Sequence, residues 1–460
     1  MIPAKQINYR QWHELFKEIP DERVKNTRYY HHLPDAEWSQ YLFPPSTHAV
    51  YGNRLLRKLK FDNSPAALRL WGFVLSESER IYRARQAGMK VVAVVGDLGA
   101  ITPLVYSFPD TVAFYPDCLW WTPFLMESRV LFNEAGQLGM GEDCCFVRAA
   151  LGAFSKRAYF PKPNLIIGTV GATCDDMAAV MSGTEFIGND VYYLELPARD
   201  TIPGNQQRQL SFLADRYREV ATRLEAVTGH SFSEDRLHET VGKVNLIRSL
   251  ISEVKDLAAT TGPNPMGGME MMNVEFAALS YYGDLEECTA VLGAFRDEMK
   301  ARVEQQNGYP DQPLRIVWVT PPADPILQNY AEDLGARIVG SEYVINQSTP
   351  ALKTEGDVFE NLAEGQLAGS LMGSSRFRVD LVVDQVRRAK ADGVIISGIF
   401  ASTHCPYETR PIIDAVRKEG VPVLAFDVVA PGKKQLQSQI YNRMEAFIES
   451  LRMRRSRRAG

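Results

Sequence analysis

The chain has 460 residues, 45% of them hydrophobic and 23% charged, an ordinary globular composition that excludes a fibrous or intrinsically disordered chain. A formal net charge of −5 offers no overall positive field for wrapping nucleic acid, and no uncharged apolar run approaches the roughly 18 residues of a membrane span. At this length two or three domains are expected. The start, Met1 to Gln6, has no apolar stretch behind its lysine, so a soluble, cytoplasmic protein is expected.

Residues 1–88 are rich in aromatics, proline and charge and read as a mostly helical extension, with a helical stretch over 66–87. His31 and His32 sit there side by side. Adjacent residues point to different faces of a helix, so the pair reads as surface or packing rather than metal-binding. From Lys90 the pattern changes. Val91 to Val95 is a short β-branched run closed by Gly96 and Asp97, and residues 164–168 and 191–196 repeat it, with helices predicted over 123–135 and 146–154. Continuous apolar strands alternating with helices predict a parallel sheet covered on both faces, spanning 89–205.

Over 206–306 the period becomes helical. Leu210, Leu213, Tyr217, Val220, Leu224 and Val227 recur at spacings of three and four. Thr228-Gly229 ends that helix, Ser233 followed by Glu234 and Asp235 opens the next, and Gly262-Pro263-Asn264-Pro265 is a break. Met266, Met269, Met271 and Met272 around Gly267-Gly268 read as helix start and core, with a mobile apolar lid as the lesser reading. Residues 307–460 resume the alternation: strands over 314–319, 336–339, 393–397 and 421–426, and helices over 325–334, 376–390, 407–418 and 434–452. The expected fold class is α/β, with two flavodoxin- or Rossmann-like parallel-sheet domains linked by a helical domain. The terminal Arg452, Arg454, Arg455, Arg457 and Arg458 read as a solvated, frayed tail.

Six cysteines are too few for a secreted disulfide scaffold, and none are paired at the CxxC spacing of a zinc ribbon. Each α/β unit has a strand running into a cysteine-bearing loop, Leu165-Ile166-Ile167-Gly168 into Cys174 and Val394-Ile395-Ile396-Ser397 into Cys405. Open parallel sheets bind ligands beyond the carboxyl ends of their strands. Cys144 and Cys145 precede a helix, where a thiol is expected to have a lowered pKa and so to be available as a thiolate ligand. Three thiols at 144, 174 and 405 would leave one iron of a four-iron cluster open to water or a substrate oxygen. The plain alternative is three buried structural cysteines. Cys288, in Leu285-Glu286-Glu287-Cys288, reads as a packing residue. There is no GxGxxG after a strand, no Walker loop, no GxSxG elbow and no HExxH helix.

Several longer stretches carry a resemblance. Cys144-Cys145-Phe146-Val147-Arg148 with Leu151-Gly152 is followed by Thr173-Cys174-Asp175. Leu224-Glu225-Ala226-Val227-Thr228-Gly229 then precedes Arg236-Leu237. Gly335-Ala336-Arg337-Ile338-Val339-Gly340, Asp392-Gly393-Val394-Ile395, Cys405 and Gly420-Val421-Pro422-Val423-Leu424 complete the series, and Arg443 to Glu449 closes it. In order and spacing, over about residues 90 to 452, these resemble the iron–sulfur, D-component-like subunits of the 2-hydroxyacyl-CoA dehydratase and benzoyl-CoA reductase family.

That resemblance implies a [4Fe-4S] cluster held by Cys144, Cys174 and Cys405, with His404 and Asp175 tuning it through hydrogen bonds. It implies two α/β units facing each other across the cluster. An acyl-CoA thioester would be the substrate, and a separate ATP-dependent activator protein would supply one low-potential electron. In the dehydratases the resulting ketyl radical expels the hydroxyl from C2. A related iron–sulfur subunit, or a second copy of this chain, would be the partner. A benzoyl-CoA reductase-type or double-cubane-cluster reductase, or a mainly structural partner subunit, is the alternative. Cys145 stands where the family more often has serine, which makes it the alternate ligand. Cys118 has no place in the usual pattern, is a further alternate, and keeps the double cubane open.

Overall fold

The computed structural model describes residues 5–18, 59–96, 99–116, 128–172, 174–308, 313–320, 325–343, 348–400, 402, 407–429 and 437–459. The expected ligand Cys405, its neighbour His404, the alternate Cys118 and the pair His31-His32 lie outside the described residues.

The chain opens with a two-stranded antiparallel ribbon, β1 (Gln6–Asn8) on β2 (Lys60–Asp62). Ser64 then caps the helix Pro65–Leu75, its hydroxyl accepting from the Ala67 amide at 3.2 Å, with proline in the first turn where no amide is needed. The helical stretch expected over 66–87 is two helices, because Ser76 breaks it before Glu77–Gln86. Trp12, Phe61 and Trp71 form an aromatic cluster with ring centroids 4.7 and 4.9 Å apart along the chain of contacts.

The first parallel sheet contains β3 (Lys90–Val95), β4 (Thr111–Phe114), β5 (Leu165–Gly171) and β6 (Val191–Leu196), in the order β4-β3-β5-β6. The second contains β7 (Leu314–Val319), β8 (Ala336–Glu342), β9 (Gly393–Ile399) and β10 (Val423–Val428), in the order β10-β9-β7-β8. Counted from its own first strand, each sheet runs 2-1-3-4, the flavodoxin-like order. The α/β expectation therefore holds, with the same topology on both sides of the helical middle. β4 and the short helix Ile101–Tyr106 were not expected, since four residues of strand carry little periodic signal.

Both faces of each sheet are covered. In β7, Ile316 and Trp318 join the large core shared with the N-terminal region and the helices, while Val317 and Val319 join a separate cluster with Val382, Val386 and Ile412. Burial on both faces is why these strands read as unbroken apolar runs. The middle third is helical as expected: Asn205–Thr228, Glu234–Thr260, Gly268–Ser280 and Leu285–Glu304. Ser233 caps the second of these, accepting from the Arg236 amide at 3.3 Å. The Met-rich stretch is core, with Met266, Met269, Met271 and Met272 all buried. Cys288 is fully buried within its helix, and burial pushes its thiol well above the ordinary range.

The basic tail differs from expectation. It forms the end of a helix, Gln437–Ala459, rather than fraying. Arg452, Arg454 and Arg455 donate to the carbonyls of Leu334, Gly420 and Pro313, which lie just before β8, β10 and β7. Main-chain carbonyls at the amino edge of the sheet need donors, and the tail's arginines provide them.

Candidate functional site

Segments that follow the carboxyl ends of the two sheets are joined to one another. Arg248, buried on the helix Glu234–Thr260, donates to the Gly99 carbonyl beyond β3 and, at 2.7 Å, to the Pro350 carbonyl beyond β8. Beyond β6, Arg199 pairs with Gly373 in an isolated parallel bridge, its amide donating to the Met372 carbonyl. In each sheet the topological switch point lies between the first and third strands, β3 and β5 in one and β7 and β9 in the other. Cys174 lies three residues beyond β5, and Cys405 follows β9 in the chain.

Gly171 shapes the approach to Cys174. Its φ is +101°, a conformation open to glycine, and a Cβ there would lie 2.5 Å from the Leu196 carbonyl oxygen. The chain then turns into the helix Asp175–Phe186, with Cys174 at its N-cap in extended conformation (φ −167°, ψ 126°). Burial on this helix falls at Asp176, Met177, Val180, Met181 and Thr184, so Asp176 faces inward while Asp175 is exposed.

Cys144 reaches the same place from the other side. It lies four residues before the helix Arg148–Lys156, whose N-cap is Val147, so it is not a helix-capping thiol. The Arg148 guanidinium, buried over the Phe132 ring at 4.8 Å, folds back to donate to the carbonyls of Cys144 and, at 3.3 Å, Cys145. The helix packs closely on Ser128–Gln137 because Gly152 has no side chain: a Cβ there would lie 2.0 Å from the Leu131 carbonyl oxygen. Gly152 thus sets the spacing of the two helices between which the cysteine loop is strung.

The Cys144 and Cys174 thiols are close enough to interact electrostatically, and each residue is 8% exposed. Cys145 is less buried than Cys144. The lowered pKa expected for a thiol before a helix is not what Cys144 has. Burial, with the charge of Asp176 and its hydrogen bond to the thiol, pushes Cys144 up to about 12, while Arg148 pulls the other way. Asp176 was missed in the sequence; its signal was the helical spacing that puts it on the face of Val180, four residues on.

Among the described residues no three histidine, cysteine or acidic side chains converge as a metal site. They contribute two of the three expected thiols, both buried and within electrostatic range of each other, with a guanidinium against the loop that carries one of them. Two buried soft donors suit an iron–sulfur group in chemistry. A surface pocket of about 250 Å³, lined by Phe154, Arg157, Phe160, Lys162, Ile187 and Asn189 among others, flanks the amino ends of β5 and β6, away from these thiols.

A family model described as 2-hydroxyglutaryl-CoA dehydratase, D-component, matches residues 123–451, well over half of the chain. No curated protein matches the chain. No helix among the described residues is long and apolar enough to cross a membrane.

Proposed function

The chain belongs to the 2-hydroxyglutaryl-CoA dehydratase D-component family, and from that premise we propose that it is the [4Fe-4S] subunit of an ATP-activated 2-hydroxyacyl-CoA dehydratase. The observation that carries this reading is that Cys144 and Cys174 are both buried and within electrostatic range of each other, with Cys174 just beyond β5 at the switch point of the first sheet. Cys144, Cys174 and Cys405 would hold the cluster, with Cys145 and Cys118 as alternates. The chemistry such a group supplies when bound is delivery of one low-potential electron, injected by a separate ATP-dependent activator protein, to the acyl-CoA thioester carbonyl as a ketyl radical that expels the 2-hydroxyl.

The chain's own residues prepare that site. Arg148 fixes the backbone of the Cys144 loop and brings positive charge beside a thiolate. Asp176 keeps the Cys144 proton in place until a metal displaces it, since thiolate ligation releases that proton. Buried walls exclude water. A related iron–sulfur subunit or a second copy would complete the enzyme.

Anaerobic purification tests the reading. About four irons per chain are expected for one cubane, and about eight for a double cubane. An iron-free, colourless protein overturns it. Assay of the purified protein with its activator against 2-hydroxyacyl-CoA and aromatic acyl-CoA thioesters separates dehydration from reduction; activity on the aromatic class alone would assign a benzoyl-CoA reductase-type subunit.

A further inference from the structure

The two α/β units share more than strand order. Asn164, just before β5, donates its amide to the Val91 carbonyl at 2.7 Å and accepts the Val91 amide on Oδ1 at 2.9 Å. Asp392, just before β9, does the same with Arg315, at 2.8 and 2.9 Å. The helix Asp175–Phe186 ends in the C-cap Ile187 and a left-handed Gly188, and β6 follows at Val191. The helix Thr409–Lys418 ends in the C-cap Glu419 and a left-handed Gly420, and β10 follows at Val423. Ile187 and Glu419 therefore hold corresponding places. So do the helices Arg148–Lys156 and Ser375–Arg388, which precede the third strand of each unit.

In the second unit the far ends of this helix pair are fastened by charge. Arg387, the last but one residue of its helix, donates to the two Glu419 oxygens at 2.9 and 2.7 Å. In the first unit the same place is a pocket of about 250 Å³, walled by Phe154, Phe160 and Ile187, with the exposed Arg157 and Lys162 in its polar lining. Ser155 stands where Arg387 does, counted from the helix end, and a guanidinium returns two residues on as Arg157. The place of its carboxylate is taken by Ile187. Among the described residues the Arg157 side chain has no hydrogen-bond or ion-pair partner. Its φ is +49°, a left-handed helix end that glycine more usually takes. Carboxylates on the neighbouring segments are engaged: Glu134 with Lys156 and Ser155, Glu185 with Tyr193, and Asp190 with Arg223.

We propose that this pocket binds a small organic carboxylate. Its apolar body would lie against Phe154, Phe160 and Ile187. Its carboxylate would pair with Arg157, supplying the anion that Glu419 supplies in the second unit. The volume is below the roughly 300–1,000 Å³ of sites for drug-sized molecules, so the ligand is small. β5 is seven residues long, which puts its amino end about 20 Å from Cys174. The two helices that end at the pocket begin at Arg148, bonded to the Cys144 carbonyl, and at Cys174. A bound carboxylate would thus clasp them at the ends remote from the thiols. Binding here requires no iron.

Isothermal titration calorimetry on the full-length protein as purified compares three probes. They are cyclohexanecarboxylate, its neutral isostere cyclohexanecarboxamide, and inorganic phosphate, an anion without the apolar body. The carboxylate should bind at one site per chain, with the amide and phosphate at least about tenfold weaker. R157Q should weaken carboxylate binding about tenfold. I187E, which installs the carboxylate of the second unit, should abolish it. Hydrogen exchange in wild type should slow around Arg157 and Ile187 when the carboxylate is added. No carboxylate binding to wild type, equal binding of the amide, or unchanged binding in R157Q overturns the proposal. Phosphate binding as tightly as the carboxylate would mark a plain cationic patch and overturns it too. The contrast between carboxylate and amide is read on wild type, so the test stays decisive if either variant fails to fold.

Discussion

Asp176 accepts the hydrogen of the Cys144 thiol from the first turn of the helix that Cys174 caps. Two segments about thirty residues apart in sequence thereby bring the Cys144 thiol onto the Asp176 carboxylate, within electrostatic range of Cys174. The carboxylate has an opposite effect to a helix terminus: it stabilises the protonated thiol and repels the thiolate.

D176N should therefore lower the Cys144 pKa. In iron-free protein, the pH profile of Cys144 alkylation should move to lower pH than in wild type, where burial and then Asp176 push the thiol up to about 12. A profile unmoved in D176N would show that burial alone sets the value.

The doublet gives a second prediction. C144S should lose or destabilise the cluster, whereas C145S should keep its iron and most activity. Cys144 is 8% exposed and its thiol is bonded to Asp176, whereas Cys145 is less buried, so Cys144 is the member of the pair turned towards Cys174. Iron counts and electron paramagnetic resonance on the two variants decide. Loss confined to C145S would reverse the assignment.

G152A should destabilise the fold without touching a thiol. The added methyl would meet the Leu131 backbone, which cannot swing aside as a side chain can. A cost of about 1–3 kcal/mol is expected. Thermal denaturation checks it, and a melting temperature equal to wild type would mean that the two helices separate freely.

Arg302 and Asp62 form a pair in which both side chains are fully buried, with contacts of 2.6 and 2.9 Å. It ties β2 to the helix Leu285–Glu304, and Arg302 also donates to the Pro265 carbonyl at 2.8 Å. D62A removes the two-point partner and leaves the buried guanidinium with the longer contact to Glu298 at 3.4 Å, and should cost about 3 kcal/mol in chemical denaturation. A loss no larger than for an exposed pair such as Arg410–Asp414 would contradict this.

Glu270 sets a pH dependence of stability. It is buried, accepts from the Asp62 amide and the Trp71 indole at 3.0 Å each, and faces the carboxylates of Asp62 and Glu332, with Arg302 paired to Asp62. Burial first, then Asp62, raises its pKa from 4.5 to about 7. The unfolded chain then releases this proton at lower pH than the folded one. Its contribution is greatest below about pH 4.5 and is lost as pH rises towards 7. E270Q should flatten that segment of the stability–pH curve.

The two parallel sheets, the helical middle and the strands leading to Cys174 and Cys405 are legible in the sequence because their signals are local. A period of three to four residues, an apolar run of strand length, a serine before an acidic turn or a glycine after a helix each reports on its own neighbourhood. Strand order, the bond of Asp176 to the Cys144 thiol, and the docking of the arginine tail are decided in three dimensions. So are the choice of Asp176 over Asp175 and the upward shift of the Cys144 thiol. Burial and charge at a side chain depend on what distant segments bring to it, and no window of sequence contains those segments together.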